Sequence, residues 1–123
     1  MVEDSPTQRA ALQRLFDGLG YPVAATFRTE AETRQWLKDN AGGFELAVID
    51  LVLEQGTGMG VLSSCRKRSA SAKVVVLSDY ATPGIRSHCL RLGADAVFQK
   101  GSEFAAFAEF VREFGAAANS GRA

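Results

Sequence analysis

Glu45-Leu46-Ala47-Val48-Ile49-Asp50 is the stretch on which the reading of this chain turns. Four apolar residues run without polar alternation and stop at a carboxylate. Such a run reads as a strand buried on both faces, the kind found in parallel sheets. The pattern recurs. Val74-Val75-Val76-Leu77 stops at Ser78, Ala96-Val97-Phe98 is followed closely by Lys100, and Met1-Val2 leads into Glu3-Asp4. In an open parallel sheet these stops gather at the carboxyl edge, where ligands bind. Glu3, Asp4, Asp50, Ser78 and Lys100 are therefore expected to form one site.

Helical segments separate the runs. Ser5 caps the first, with Pro6 at its first position, and Leu12, Leu15, Phe16 and Leu19 form its apolar face. A second strand is expected over 21–27, then a helix opened by the capping box Thr29-x-x-Glu32, with Ala31, Trp36 and Leu37 inward. A turn is expected over 40–43. After Asp50 a glycine-rich loop, 54–60, leads to a helix carrying Val61, Leu62 and Cys65. Ile85, Cys89 and Leu92 face inward on the next helix, and Phe104, Phe107, Val111 and Phe114 on the last. Strands alternating with helices predict an α/β fold, a three-layer doubly wound (βα)5 sandwich with five parallel strands. Residues 1–114 read as one domain and 115–123 as a short flexible tail. Met1-Val2 is brief against the usual ~5–6 residues of a strand. It is too short to pair along its neighbours, so apolar residues added before Val2 are expected to stabilise the fold.

At 123 residues the chain suits a single domain. Fourteen basic residues balance fourteen acidic ones, which leaves no electrostatic footprint for nucleic acid or an anionic membrane. No apolar run approaches the ~20 residues of a membrane helix, and no signal peptide is visible. Cys65 and Cys89 read as reduced, buried thiols of a cytoplasmic protein.

The chain resembles the receiver domain of two-component response regulators over nearly its whole length. The resemblance rests on Val2-Glu3-Asp4-Ser5-Pro6-Thr7, on Ile49-Asp50-Leu51-Val52-Leu53 with Gly58, on Leu77-Ser78, and on Gly93-Ala94-Asp95-Ala96 followed by Lys100. It implies a flavodoxin-like strand order 2-1-3-4-5. It implies that Glu3, Asp4, Asp50 and the main-chain carbonyl of Val52 hold Mg²⁺, a hard cation suited to oxygen ligands. Asp50 would take a phosphoryl group from a histidine kinase or phosphotransfer protein, with Lys100 neutralising its oxygens and Ser78 hydrogen-bonding it to bias a switch. The protein would not be an enzyme beyond its own phosphorylation and dephosphorylation. A downstream protein target is the expected output partner, since no output domain follows residue 123.

Some positions depart from the family pattern. Gly101 replaces the usual proline after the lysine, Glu54 replaces the loop proline, and Val97 stands at the aromatic switch position. Tyr80 is a candidate substitute for that aromatic, and Val52 and Tyr80 flank the expected path of hydrolytic water. The chief alternative is a pseudo-receiver, an interaction module that is not phosphorylated. An aspartyl phosphatase of the haloacid-dehalogenase type wants a second Asp where Val52 stands. Gly56-x-Gly58-x-Gly60 lacks the third glycine spacing of a dinucleotide fingerprint and follows the wrong strand. His88, the sole histidine, has no histidine partner for a metal and reads as a surface residue.

Overall fold

A computed structural model of the chain describes residues 1–40 and 43–120. Four of the five helices begin where a hydroxyl side chain caps them. Ser5 accepts from the Gln8 N–H at the start of α1 (Pro6–Leu19), and Thr29 from Glu32 at α2 (Glu30–Asp39). Thr57 accepts from Gly60 at α3 (Gly58–Ser64), and Thr82 from Ile85 at α4 (Pro83–Arg91). Gly20 ends α1 in the left-handed region, at φ 74°. The last helix, α5, spans Phe104–Ser120, so the helix continues beyond residue 114. The rest of the expected tail, 121–123, lies outside the described residues, as do 41 and 42 of the expected turn.

Three strands make the regular sheet: β1 (Leu46–Ile49), β2 (Lys73–Ser78) and β3 (Ala96–Gln99), all parallel and in that order. Ile49 pairs with Val76 and Val76 with Val97. Alternate residues of the apolar runs serve opposite cores. Ile49, Val74 and Val76 pack with Leu62, Cys65 and Cys89 on the side of α3 and α4. Val48, Val75 and Leu77 pack with Leu12, Phe16, Phe107 and Val111 of α1 and α5. The doubly wound, three-layer α/β arrangement therefore stands as expected.

The count of five strands does not. The first two expected strands survive only as isolated parallel bridges, Val2 with Phe27 and Val2 with Ile49. The cause lies in the first of them. Only Met1, Val2 and Glu3 are available to bond with 25–27, and Pro22 has no N–H to offer. The stretch 21–25 has nothing to form a ladder with. Two smaller corrections concern side chains. Ala31 is exposed and Thr33 is buried in its place, its hydroxyl donating to the Thr29 carbonyl at 2.8 Å. Phe104 is exposed at the start of α5.

Candidate functional site

The residues expected at the carboxyl edge meet there. Asp50 follows β1, Ser78 ends β2, and Lys100 follows β3. Val2 places Glu3 and Asp4 beside them, because its N–H donates to Val48 O at 2.8 Å and its carbonyl accepts from Asp50 N at 3.0 Å. The main-chain N–H of Lys100 donates to Ser78 O at 3.0 Å, which holds the last two segments together.

Lys100 is the hub. Its Nζ lies 2.8 Å from Glu3 Oε1 and 3.0 Å from Asp50 Oδ2, and all three side chains are buried. The second oxygen of Glu3 accepts from Ser5 N at 3.2 Å, and Asp50 Oδ1 from Val52 N at 3.4 Å. Burial opposes the charge on Lys100, but the hydrogen bonds it donates to Glu3 and Asp50 outweigh that and hold its pKa above the ordinary value. Burial raises the pKa of Glu3. The Lys100 hydrogen bond counters that effect, and the negative charge of Asp50 reinforces it.

One carboxylate oxygen each from Glu3, Asp4 and Asp50 lies within 4.8 Å of the others. Against three carboxylates stands the single ammonium of Lys100, so the cluster carries an excess of negative charge. Hard oxygen donors with that excess suit a divalent cation such as Mg²⁺. Ser78 is fully buried, and its Oγ accepts the Tyr80 N–H at 3.1 Å. Among the described residues its own proton is donated to no acceptor, so it is available to an incoming oxygen. Tyr80 and Val52 are both more than half exposed, at 58% and 53%, while Val97 is buried in the core beside α4.

Three positioning residues carried no signal in the sequence. The Arg9 guanidinium on α1 donates to the carbonyls of Glu3 and Asp4, at 3.2 and 3.0 Å, and so fixes the main chain of both acids. Arg86 on α4 donates to Ala81 O and Val97 O, each at 2.9 Å, and pairs with Glu103. It clamps the loop after Ser78 to the strand before Lys100. The third is Glu30, at the start of α2. Its Oε1 accepts from Thr57 N at 2.9 Å, and its own N–H donates to Gln55 O at 3.1 Å. A Cβ at Gly56 or Gly60 would collide with the Glu30 side chain, and one at Gly58 with the Asp50 carbonyl. The glycines of this loop are thus explained by close packing.

The sequence pattern of the response regulator receiver domain matches residues 1–112. The chain belongs to that family. The receiver is 37% identical over 54 residues to the photosynthetic apparatus regulatory protein RegA of Rhodovulum sulfidophilum. That match covers 44% of this chain and only 30% of RegA, so it spans less than a third of the relative's length. Among solved structures, the receiver superposes on one from the CheX–CheY–BeF3–Mg complex of Borrelia burgdorferi with a TM-score of 0.80. Identity is 20%, and the match covers 91% of this chain and 84% of that one. A response regulator of Burkholderia pseudomallei, described with a phosphorylated aspartic acid, a calcium ion and citrate, gives 0.71 at 23% identity, covering 96% and 72%. The response regulator domain of Thermotoga maritima CheB gives 0.76 at 21%, covering 96% and 92%. These likenesses establish the flavodoxin-like receiver fold.

Proposed function

We propose that this receiver accepts a phosphoryl group on Asp50 from a phosphohistidine of a sensor kinase or phosphotransfer protein, and passes the signal to a protein target. The observation that carries this reading is the buried Lys100 ammonium bridging Glu3 and Asp50, with Asp4 alongside. An Asp50 carboxylate oxygen attacks the phosphorus, the P–N bond breaks, and the imidazole leaves with the electron pair and takes up a proton. Lys100, already within reach of Asp50, offsets charge on the transferred group. Ser78 donates its free hydroxyl proton to a phosphoryl oxygen. Glu3, Asp4, Asp50 and the Val52 carbonyl are the groups that would hold Mg²⁺. When bound, Mg²⁺ would supply positive charge to the phosphoryl oxygens. Beyond its own phosphorylation and dephosphorylation the domain needs no catalytic activity.

Two of the structures it resembles were obtained with a phosphoryl analogue or a phosphorylated aspartate alongside a divalent cation, which supports the reading by analogy. Two buried free thiols suit a reducing compartment, in keeping with action in the cytoplasm. Among the described residues, no helix is long and apolar enough to cross a membrane.

The test is addition of beryllofluoride with Mg²⁺, followed by amide NMR. Resonances of Asp50, Ser78 and Lys100 should shift in the wild type and stay fixed in Asp50→Asn. A wild-type spectrum indifferent to both reagents would favour the pseudo-receiver, a binding module that works without phosphate.

A further inference from the structure

The loop after Asp50 folds back as a small antiparallel hairpin, and the start of α2 grips it from outside. Val52 and Thr57 form an isolated antiparallel bridge, and beside it Gly58 N donates to Leu51 O at 3.0 Å. That flanking bond makes Val52 and Thr57 a non-hydrogen-bonded pair, so their own N–H and C=O groups point away from each other. The hairpin therefore has an inner and an outer edge. On the inner edge Val52 N donates to Asp50 Oδ1 at 3.4 Å. On the outer edge Thr57 N donates to Glu30 Oε1 at 2.9 Å.

Glu30 is the firm point of that outer edge. Its N–H donates to Gln55 O at 3.1 Å, next to a parallel bridge between Thr29 and Gln55. Its side chain is only 20% exposed, and its other oxygen takes Arg34 at 2.9 Å. A carboxylate accepting from main-chain N–H makes one of the stronger hydrogen bonds. Arg28 also pairs with Glu54 at 2.8 Å, but both side chains are half or more exposed, and such a pair contributes little. Glu30 thus grips one edge of a two-stranded hairpin whose other edge touches Asp50.

We infer that Glu30 is a positioning residue for the acceptor carboxylate. Through Thr57 it sets the main chain of Val52, and Val52 in turn fixes Asp50 Oδ1 with its N–H. In extended backbone the N–H and C=O of one residue lie on the same side, so the Val52 carbonyl faces the inner edge as well. That carbonyl counts as a cation ligand only under the function proposed above, whereas the bond from the Val52 N–H to Asp50 stands without it. Glu30 acts by reach and not by charge, since its contact with the hairpin is a single oxygen at the Thr57 N–H.

Two substitutions in the full chain separate reach from charge. Glu30→Asp keeps the charge but withdraws the oxygen from Thr57, and Glu30→Gln keeps an oxygen in place without the charge. Amide hydrogen exchange and a Mg²⁺ titration, both followed by NMR, supply the readouts. In Glu30→Asp the Thr57 and Val52 amides should exchange about fivefold faster, and Mg²⁺ read at the Asp50 amide should bind about fivefold more weakly, the worth of one hydrogen bond. Glu30→Gln should stay within about twofold of the wild type on both counts. Faster exchange at Thr57 with Val52 unchanged would overturn the inference, since the two edges would then move separately. So would a Gln variant as weak as the Asp variant, which would make charge the cause. A wild type that takes no Mg²⁺ would count against the proposed function, and exchange at Val52 would still decide the role of Glu30.

Discussion

At the carboxyl end of the central segment, Lys100 joins Glu3 to Asp50, and among the described residues no buried polar side-chain atom lacks a partner. At the amino end of the same segment, beyond Met1, main-chain groups face a cavity of about 640 Å³. Two or three rungs of pairing separate a buried ionic site from an open cavity. The acids therefore do not need a long strand to be placed. The Val2 rungs, Arg9 on the carbonyls of Glu3 and Asp4, and the Lys100 ion pairs suffice.

The largest expected effect tests the saturated end. Lys100→Met strands two carboxylates in a buried site, which should cost about 3–5 kcal/mol in urea unfolding at pH 8. Adding Glu3→Gln should recover a good part of that loss by removing the repulsion with Asp50. A loss under about 1 kcal/mol for Lys100→Met would mean that the pairs are solvated and that the two ends differ less than their geometry indicates.

The next effect belongs to the open end. The Met1 amine has a pKa of about 6 in the fold against 8.0 when free, so the folded state disfavours its protonation. That contribution to stability is complete above pH 8 and is lost as the pH falls to about 6. It amounts to about 3 kcal/mol. Unfolding of the ordinary and the amino-terminally acetylated chain across pH 5.5–8.5 should show this slope in the first and its absence in the second. Identical slopes would show that the amine is solvated in the fold rather than buried.

The smallest effect returns to the site and concerns phosphate lifetime. Exposed Val52 offers no hydrogen bond to orient water, and the exposed Tyr80 ring stands two residues beyond Ser78. Val52→Asn combined with Tyr80→Glu should speed loss of phosphate by roughly tenfold, about 1.4 kcal/mol. Decay followed with Mg²⁺ present after removal of the donor measures it. Equal decay of the wild type would show that these side chains do not gate the water.

Much of the site was legible because each of its members ends an apolar run, and parallel strands bring such ends to one edge. The three regular strands were legible for the same reason, since Leu46–Ile49, Lys73–Ser78 and Ala96–Gln99 are buried runs of β-forming residues. The stretch 21–27 was not, because its propensity has no paired neighbour along most of its length, and pairing decides whether a strand forms. Ala31 and Thr33 exchanged roles because the Thr33 hydroxyl can bond back to Thr29 within the first turn, which lets a polar residue be buried. Arg9, Glu30 and Arg86 were invisible for a different reason. Each acts by reaching main-chain groups elsewhere in the fold, and neither spacing nor composition encodes such a contact.

The clasp between Glu30 and the loop after Asp50 sets a rule for how this chain can vary. The carboxylate occupies the space that side chains at 56 and 60 would need, and it holds the Thr57 N–H at the start of α3. Positions 30 and 60, on two segments distant in sequence, therefore form one unit of substitution. An alanine at 60 requires the Glu30 carboxylate to swing away or a shorter residue at 30, and either relinquishes the Thr57 contact. Among variants of this protein the glycine at 60 should be lost together with the glutamate, whereas Gly56, at φ 79°, should persist in either case.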